Sequence, residues 1–174
     1  IWEPLSKAAG RDAFERAARG QDHDVAQRVR AIEILVERFG GLTTGTLTAL
    51  TKDAAPEVRA RTAWSVGRTK TATEIPKLIS TLVADTDPFV GRVACEALVG
   101  KPGEINDATM ATALAKRLGS TTRFDRIAAA RLIPQLSKET FRTLAVKAVK
   151  AAKLGWSAGV SNAFGFLGRE PGFN

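Results

Sequence analysis

Five large apolar residues, Leu35, Val66, Leu98, Leu132 and Phe164, recur along the chain at intervals of 31, 32, 34 and 32 residues. Each closes a run of mostly small side chains: A-I-E-I-L at 31 to 35, T-A-W-S-V at 62 to 66, A-C-E-A-L at 94 to 98, A-A-A-R-L at 128 to 132 and V-S-N-A-F at 160 to 164. A fixed period of this size marks a repeat architecture, in which one packing geometry is used again and again between neighbours. Apolar residues three and four apart, as in Val25, Val29, Ile32, Val36 and in Ala111, Leu114, Leu118, make the repeating elements helices. Breakers at Gly40-Gly41, Pro56, Pro76, Pro88, Pro102-Gly103, Gly119 and Gly155 keep those helices to about three or four turns. The expectation is an all-α chain of five helix pairs, near 5–39, 41–70, 72–100, 104–136 and 138–168, stacked as an α-solenoid.

Composition fits a soluble domain that can bury a core, with 44% hydrophobic and 25% charged residues over 174 positions. The formal charge of +8 favours an acidic partner without naming its class. Cys95 is the only cysteine, so no intramolecular disulfide forms. The longest uncharged run, Leu154 to Gly168, carries Asn, Ser and Gly and is too polar to span a bilayer, so no membrane insertion is expected. Ile1 stands where a methionine would begin a gene product, which reads as one domain, 1–174, of a larger protein. The compartment stays open between a cytoplasmic parent, the default, and an exported one.

The stretches E-V-R-A-R-T-A-W-S-V-G at 57 to 67 and D-P-F-V-G-R-V-A-C-E-A-L at 87 to 98 resemble the second helix of a HEAT repeat: a valine, an arginine, small residues and a leucine. An aspartate before that helix and an arginine inside it form the family's ladder. Asp22, Asp53 and Asp85 lie thirteen residues before their anchors, and Arg28 and Arg59 lie seven before theirs. The third repeat departs, with Gly91 in the arginine position and Arg92 beside it; the fourth offers Gly119 and Asp125, the fifth Ala151 and Ser157. The resemblance implies a right-handed superhelical stack with the second helices on its concave face, and a non-catalytic binding scaffold.

Enzymatic motifs do not survive their context. G-W-S-A-G at 155 to 159 has the spacing of a serine-hydrolase elbow around Ser157, but helical residues precede it and the only histidine, His23, lies about four repeats away. D-H-D at 22 to 24 and D-T-D at 85 to 87 could hold a metal, yet one aspartate of each serves the ladder and Asp24 suits a helix start. Cys95 occupies a small-residue packing position with no base to activate it. Glycine-rich phosphate loops are missing. No catalytic residue, metal or cofactor is expected.

Binding residues are better represented. Arg30 and Arg61 lie five before their anchors and Arg92 and Arg126 six before theirs, with Arg123 and Arg131 nearby, so a stripe of guanidiniums could run across the second helices. The same arginines could instead pair with acids of neighbouring repeats. The five second-helix segments carry 0, +3, −1, +2 and +1, which argues against a continuous phosphate-binding groove. Lys138, Arg142, Lys147, Lys150 and Lys153 concentrate charge on the last first helix, expected as a solvated outer surface. Trp64 turns away from the face of Val58, Thr62, Ser65 and Val66, at the place held by Glu33, Glu96, Ala130 and Asn162 elsewhere. With Arg61 one turn before and Arg68 one turn after, it has the composition of a binding hot spot. The leading expectation is a monomeric scaffold that binds a protein or peptide through Trp64, Arg61, Arg68, Arg30, Arg92 and Arg126. One alternative is a nucleic-acid binder, at the extreme similar to the HEAT-like DNA alkylation-repair glycosylases, using Trp64 with Arg61 or Asp125 with Arg126. Another is a spacer segment of a larger bacterial protein.

Overall fold

A computed structural model describes residues 2–68, 75–101 and 108–152. They form nine α-helices: α1 Trp2–Arg19, α2 Val25–Phe39, α3 Thr44–Leu50, α4 Pro56–Val66, α5 Ile75–Val83, α6 Pro88–Leu98, α7 Ala108–Leu118, α8 Arg123–Ala130 and α9 Lys138–Ala152, with no strand among the described residues. The second helix of the fifth pair lies outside them, and with it Phe164, Asn162 and the G-W-S-A-G motif. No helix there is long and apolar enough to cross a membrane.

Local sequence sets the helix starts. Pro56 and Pro88 take the first helical position, where a missing N–H costs nothing. Asp87 accepts from the Phe89 and Val90 N–H groups at 2.8 and 3.3 Å. Asp24 and Gln27 cap each other reciprocally before α2, so one aspartate of each metal-like motif, Asp24 and Asp87, serves a helix start. Gly40 ends α2 in the left-handed conformation at φ 74°. Helix α1 begins earlier than the apolar spacing suggests and is kinked at Gly10, whose φ of 71° only glycine adopts freely.

The helices alternate between two layers. In one, α2, α4, α6 and α8 pack in succession; in the other, α5, α7 and α9 do, with α1 against α3. Ala31, Thr62, Ala94 and Ala129, the seventh residues of α2, α4, α6 and α8, are buried small side chains that let the layers close up. Within the second-helix layer, Gly67 at the end of α4 lets α6 approach closely: a Cβ there would sit 3.0 Å from the backbone of Ala97.

Arginine–aspartate pairs join one repeat to the next. Arg28 of α2 pairs through two nitrogens with Asp53, whose Oδ1 also accepts the Ala55 N–H at 3.0 Å and so closes the turn into α4. Arg59 of α4 reaches Asp85 in the same way, at 2.8 and 3.1 Å, and Asp85 closes the turn into α6 by accepting the Asp87 N–H at 2.8 Å. Burial pushes both carboxyls up, but hydrogen bonds from the arginines and the turn N–H groups outweigh it and hold them below the 3.8 of a free aspartate. Asp22, by contrast, is exposed and makes no ion pair among the described residues.

The fourth repeat corrects the sequence register by one residue. Counted from the helix starts, the fourth residues of α2, α4, α6 and α8 are Arg28, Arg59, Gly91 and Arg126, and the eleventh residues along are Leu35, Val66, Leu98 and Ile133. The extra residue lies upstream of α8, so counting back from Leu132 misplaces the ladder. Ser120, not Gly119, closes the turn by accepting the Thr122 N–H at 3.1 Å, and Arg126 binds the carbonyls of Ser120 and Thr121 at 2.7 and 2.9 Å. Those bonds repeat what Arg59 makes with the carbonyls of Asp53 and Ala54. Arg126 therefore stands at the ladder-arginine position and is held by the carbonyls of its own turn.

Asp125 falls instead at the third helical position, where α4 and α6 bury Val58 and Val90. Its partner comes from the other layer. Arg117 of α7 enters the space that Gly91 leaves open; a Cβ on Gly91 would meet the guanidinium at 2.5 Å. There Arg117 donates to Asp125 at 2.9 Å and to the carbonyl of Asp85, with the two side chains 4% and 1% exposed. The missing ladder arginine is thus replaced by one arriving from the first-helix layer.

Two outcomes are expected in urea unfolding. Arg117→Leu strands a buried carboxylate and should cost about 3–5 kcal/mol, most of it recovered in the Arg117→Leu/Asp125→Leu double variant. Because the folded-state pKa values of Asp53 and Asp85 are depressed, their contribution is complete above the unfolded value near 3.8 and is lost as pH falls through and below it. Stability should therefore decline as pH drops from about 5, with a shallower decline in Asp85→Asn.

Candidate functional site

With α2, α4 and α6 side by side, their second, fifth, sixth and ninth residues project from one face of the layer. That face holds a groove of about 620 Å³, lined by Val25, Ala26 and Val29 from α2, Glu57, Ala60, Arg61 and Trp64 from α4, and Phe89, Val93 and Glu96 from α6. Most of this lining is apolar, and Phe89 is 48% exposed. The row continues onto α8 with Phe124, 64% exposed, and Ile127, at the helical positions of Phe89 and Arg92. A phenylalanine directly after the first helical residue, at 89 and again at 124, is the sequence signal for this row, which the spacing around Trp64 does not reveal.

Trp64 is half-buried, and the guanidinium carbons of Arg61 and Arg68 lie over its ring at 4.8 and 4.3 Å from the centroid. Such cation–π contacts fix the arginines and the indole against each other. The register places Glu33, Trp64, Glu96 and Arg131 at one helical position, Arg131 replacing Ala130 for the reason given above.

The expected arginine stripe is largely neutralised by glutamates. Arg30 pairs with Glu33 at 2.8 Å and with Glu37 at 3.7 Å, Arg61 with the other oxygen of Glu33 at 3.2 Å, and Arg92 with Glu96 at 3.9 Å while lying over the Phe89 ring. Glu33 thereby ties α2 to α4. Arg126 is held by backbone carbonyls. Of the predicted contact residues, Arg68 alone is exposed with no acid within ion-pairing distance among the described residues; Glu57 is likewise exposed without a base. The groove itself is lined by one arginine, Arg61, and two glutamates, Glu57 and Glu96.

A second groove brings lysines together beside Asp53 and Asp85. Lys147 is half-buried rather than fully solvated, and with Lys52, Lys116, Thr81, Thr109 and Thr112 it lines this groove over the first-helix layer, where Lys116 donates to the Ala84 carbonyl at 2.5 Å. The side chains of Lys150 and Lys153 are outside the described residues. Cys95 is fully buried, and burial pushes its thiol up to about 12, far from a reactive thiolate at neutral pH. No group of three metal-binding side chains occurs among the described residues.

The family model for HEAT repeats matches residues 43–134, more than half of the chain. The chain belongs to the HEAT-repeat family. No curated protein and no solved structure matches it. The matched stretch takes in α3 to α8, and the Arg28–Asp53 pair carries the HEAT ladder one helix pair further toward the N-terminus. HEAT repeats commonly serve as protein-interaction scaffolds, which is the frame in which the groove on α2, α4 and α6 is to be read.

Proposed function

We propose that this HEAT array is a non-catalytic scaffold whose second helices form a concave face, and that a protein or peptide segment binds there in the groove centred on Trp64. One observation carries the reading: a mostly apolar groove whose charged lining residues are Arg61, Glu57 and Glu96, with no excess of cations. Apolar surface left open in a groove is what a partner's side chains fill. A phosphate backbone requires a run of unpaired cations, whereas Arg30, Arg61 and Arg92 already have acids and Arg126 has carbonyls. The glycosylase variant of the nucleic-acid reading loses its Asp125–Arg126 pair, since Asp125 is buried against Arg117. A pure spacer gains nothing from an exposed aromatic row.

Trp64→Ala in a chain with normal helicity tests the proposal. Peptides selected on the wild-type protein from a random display library should lose about 2 kcal/mol of affinity, roughly 30-fold, while stability falls by about 1–3 kcal/mol from the lost cation–π contacts and half-buried indole. Random duplex DNA at about 50 mM salt should not bind; saturable binding that weakens steeply with salt would replace this reading with the nucleic-acid one.

A further inference from the structure

We infer that the occupant of the groove is a short amphipathic helix with a defined polarity: apolar residues along its middle, an acidic residue at the end over Arg68 and a basic residue at the end over Glu57. This rests on the proposed binding at the groove and adds the chemistry and direction of what binds.

The groove has α4 as its floor, with Val25 and Val29 of α2 on one side and Phe89 and Val93 of α6 on the other. A segment lying in it therefore runs along α4. Of the charges that border the middle, Arg30 and Arg61 are paired with Glu33, and Arg92 lies 3.9 Å from Glu96 and over the Phe89 ring. The two that make no ion pair among the described residues stand at opposite ends of the same helix. Glu57 is the second residue of α4, and Arg68 lies two residues past its end. Eleven residues at about 1.5 Å each put them about 16 Å apart, the length of about three helical turns.

Arg68 is also prepared for its role. Its guanidinium lies 4.3 Å from the Trp64 centroid, which restrains an otherwise flexible side chain and leaves in-plane N–H donors for a carboxylate. Part of the ordering cost of a charge-assisted contact is thereby met before the ligand arrives. A helix suits the groove better than an extended chain, because helix side chains line it and no strand edge is offered; a helix satisfies its own backbone hydrogen bonds. Glu57 and Arg68 also complement the dipole of α4, but that role would leave peptide selection indifferent to either charge.

Random peptides of about 12 residues, displayed and selected in parallel on wild-type protein, Trp64→Ala, Arg68→Glu and Arg68→Gln, decide the matter. The wild-type selection should enrich peptides with an apolar stripe at helical spacing, an acid at one end and a base at the other. Arg68→Glu should exchange the acid for a base, and a synthetic wild-type-selected peptide should bind Arg68→Glu at least about tenfold more weakly, with Arg68→Gln in between. Melting curves of both Arg68 variants, an exposed site, confirm that they fold. Trp64-dependent peptides without helical spacing, or with end charges that Arg68→Glu leaves unchanged, overturn the inference and leave binding at the groove standing. A selection that yields no Trp64-dependent peptide removes both.

Discussion

The carboxylates of Asp53 and Asp85 each do two things at once, and the rest of the molecule depends on it. One oxygen closes the turn that starts the next helix while the carboxylate receives the arginine of the repeat before. The start of α4 is thereby fixed relative to α2, and that of α6 relative to α4. Short helices of this kind are marginal alone, and their amphipathic faces hold only against neighbours. Because the ladder fixes where each second helix begins, the second, fifth and ninth residues of three helices fall in line, and the groove follows from that alignment. Glu15 extends the same logic to the first-helix layer: its buried carboxylate accepts from the Thr43 N–H at 2.9 Å and from both threonine hydroxyls at the start of α3.

Between the third and fourth repeats the device changes without being lost. An arginine at position 91 would compete with Arg117 for one space, and glycine resolves the competition in favour of the residue from α7. The resulting Arg117–Asp125 pair is more deeply buried than the Arg59–Asp85 pair and leaves Arg117 Nε and Asp125 Oδ1 without hydrogen-bond partners. An ion pair so buried adds little net stability but makes the loss of either partner expensive. It therefore acts to specify how α7 and α8 meet more than to strengthen them. Meanwhile α8 keeps its own ladder arginine, Arg126, on the carbonyls of the preceding turn.

The repeat and its helical character were legible because they rest on periodicity, and the Asp–Arg spacing showed where two repeats are tied. What escaped depended on distances between layers. Nothing local marks Arg117 as the substitute for a ladder arginine; its role appears only when Gly91 of α6 and Asp125 of α8 are brought against α7. The one-residue error at Gly119 and Asp125 came from anchoring on Leu132, since Leu132 and Ile133 are both fully buried and apolar and the sequence does not choose between them. At the groove, Trp64 with Arg61 and Arg68 was visible because one helical turn separates them. The pairing of Arg30, Arg61 and Arg92 was half visible: Glu33, Glu37 and Glu96 lie at helical spacings, but the bridge from Arg61 to Glu33 crosses between helices.

A double-mutant cycle on Arg59 and Asp85 goes to the centre of this picture. Arg59→Met keeps the aliphatic stem, Asp85→Asn keeps an acceptor for the turn, and urea unfolding of the two single variants, the double and the wild type yields the coupling between them. A coupling of about 1.5–3 kcal/mol is expected if the inter-repeat pair holds α4 and α6 in register. Losses that simply add, within about 0.5 kcal/mol, would mean that packing alone sets the stack and that the ladder is not what aligns the groove.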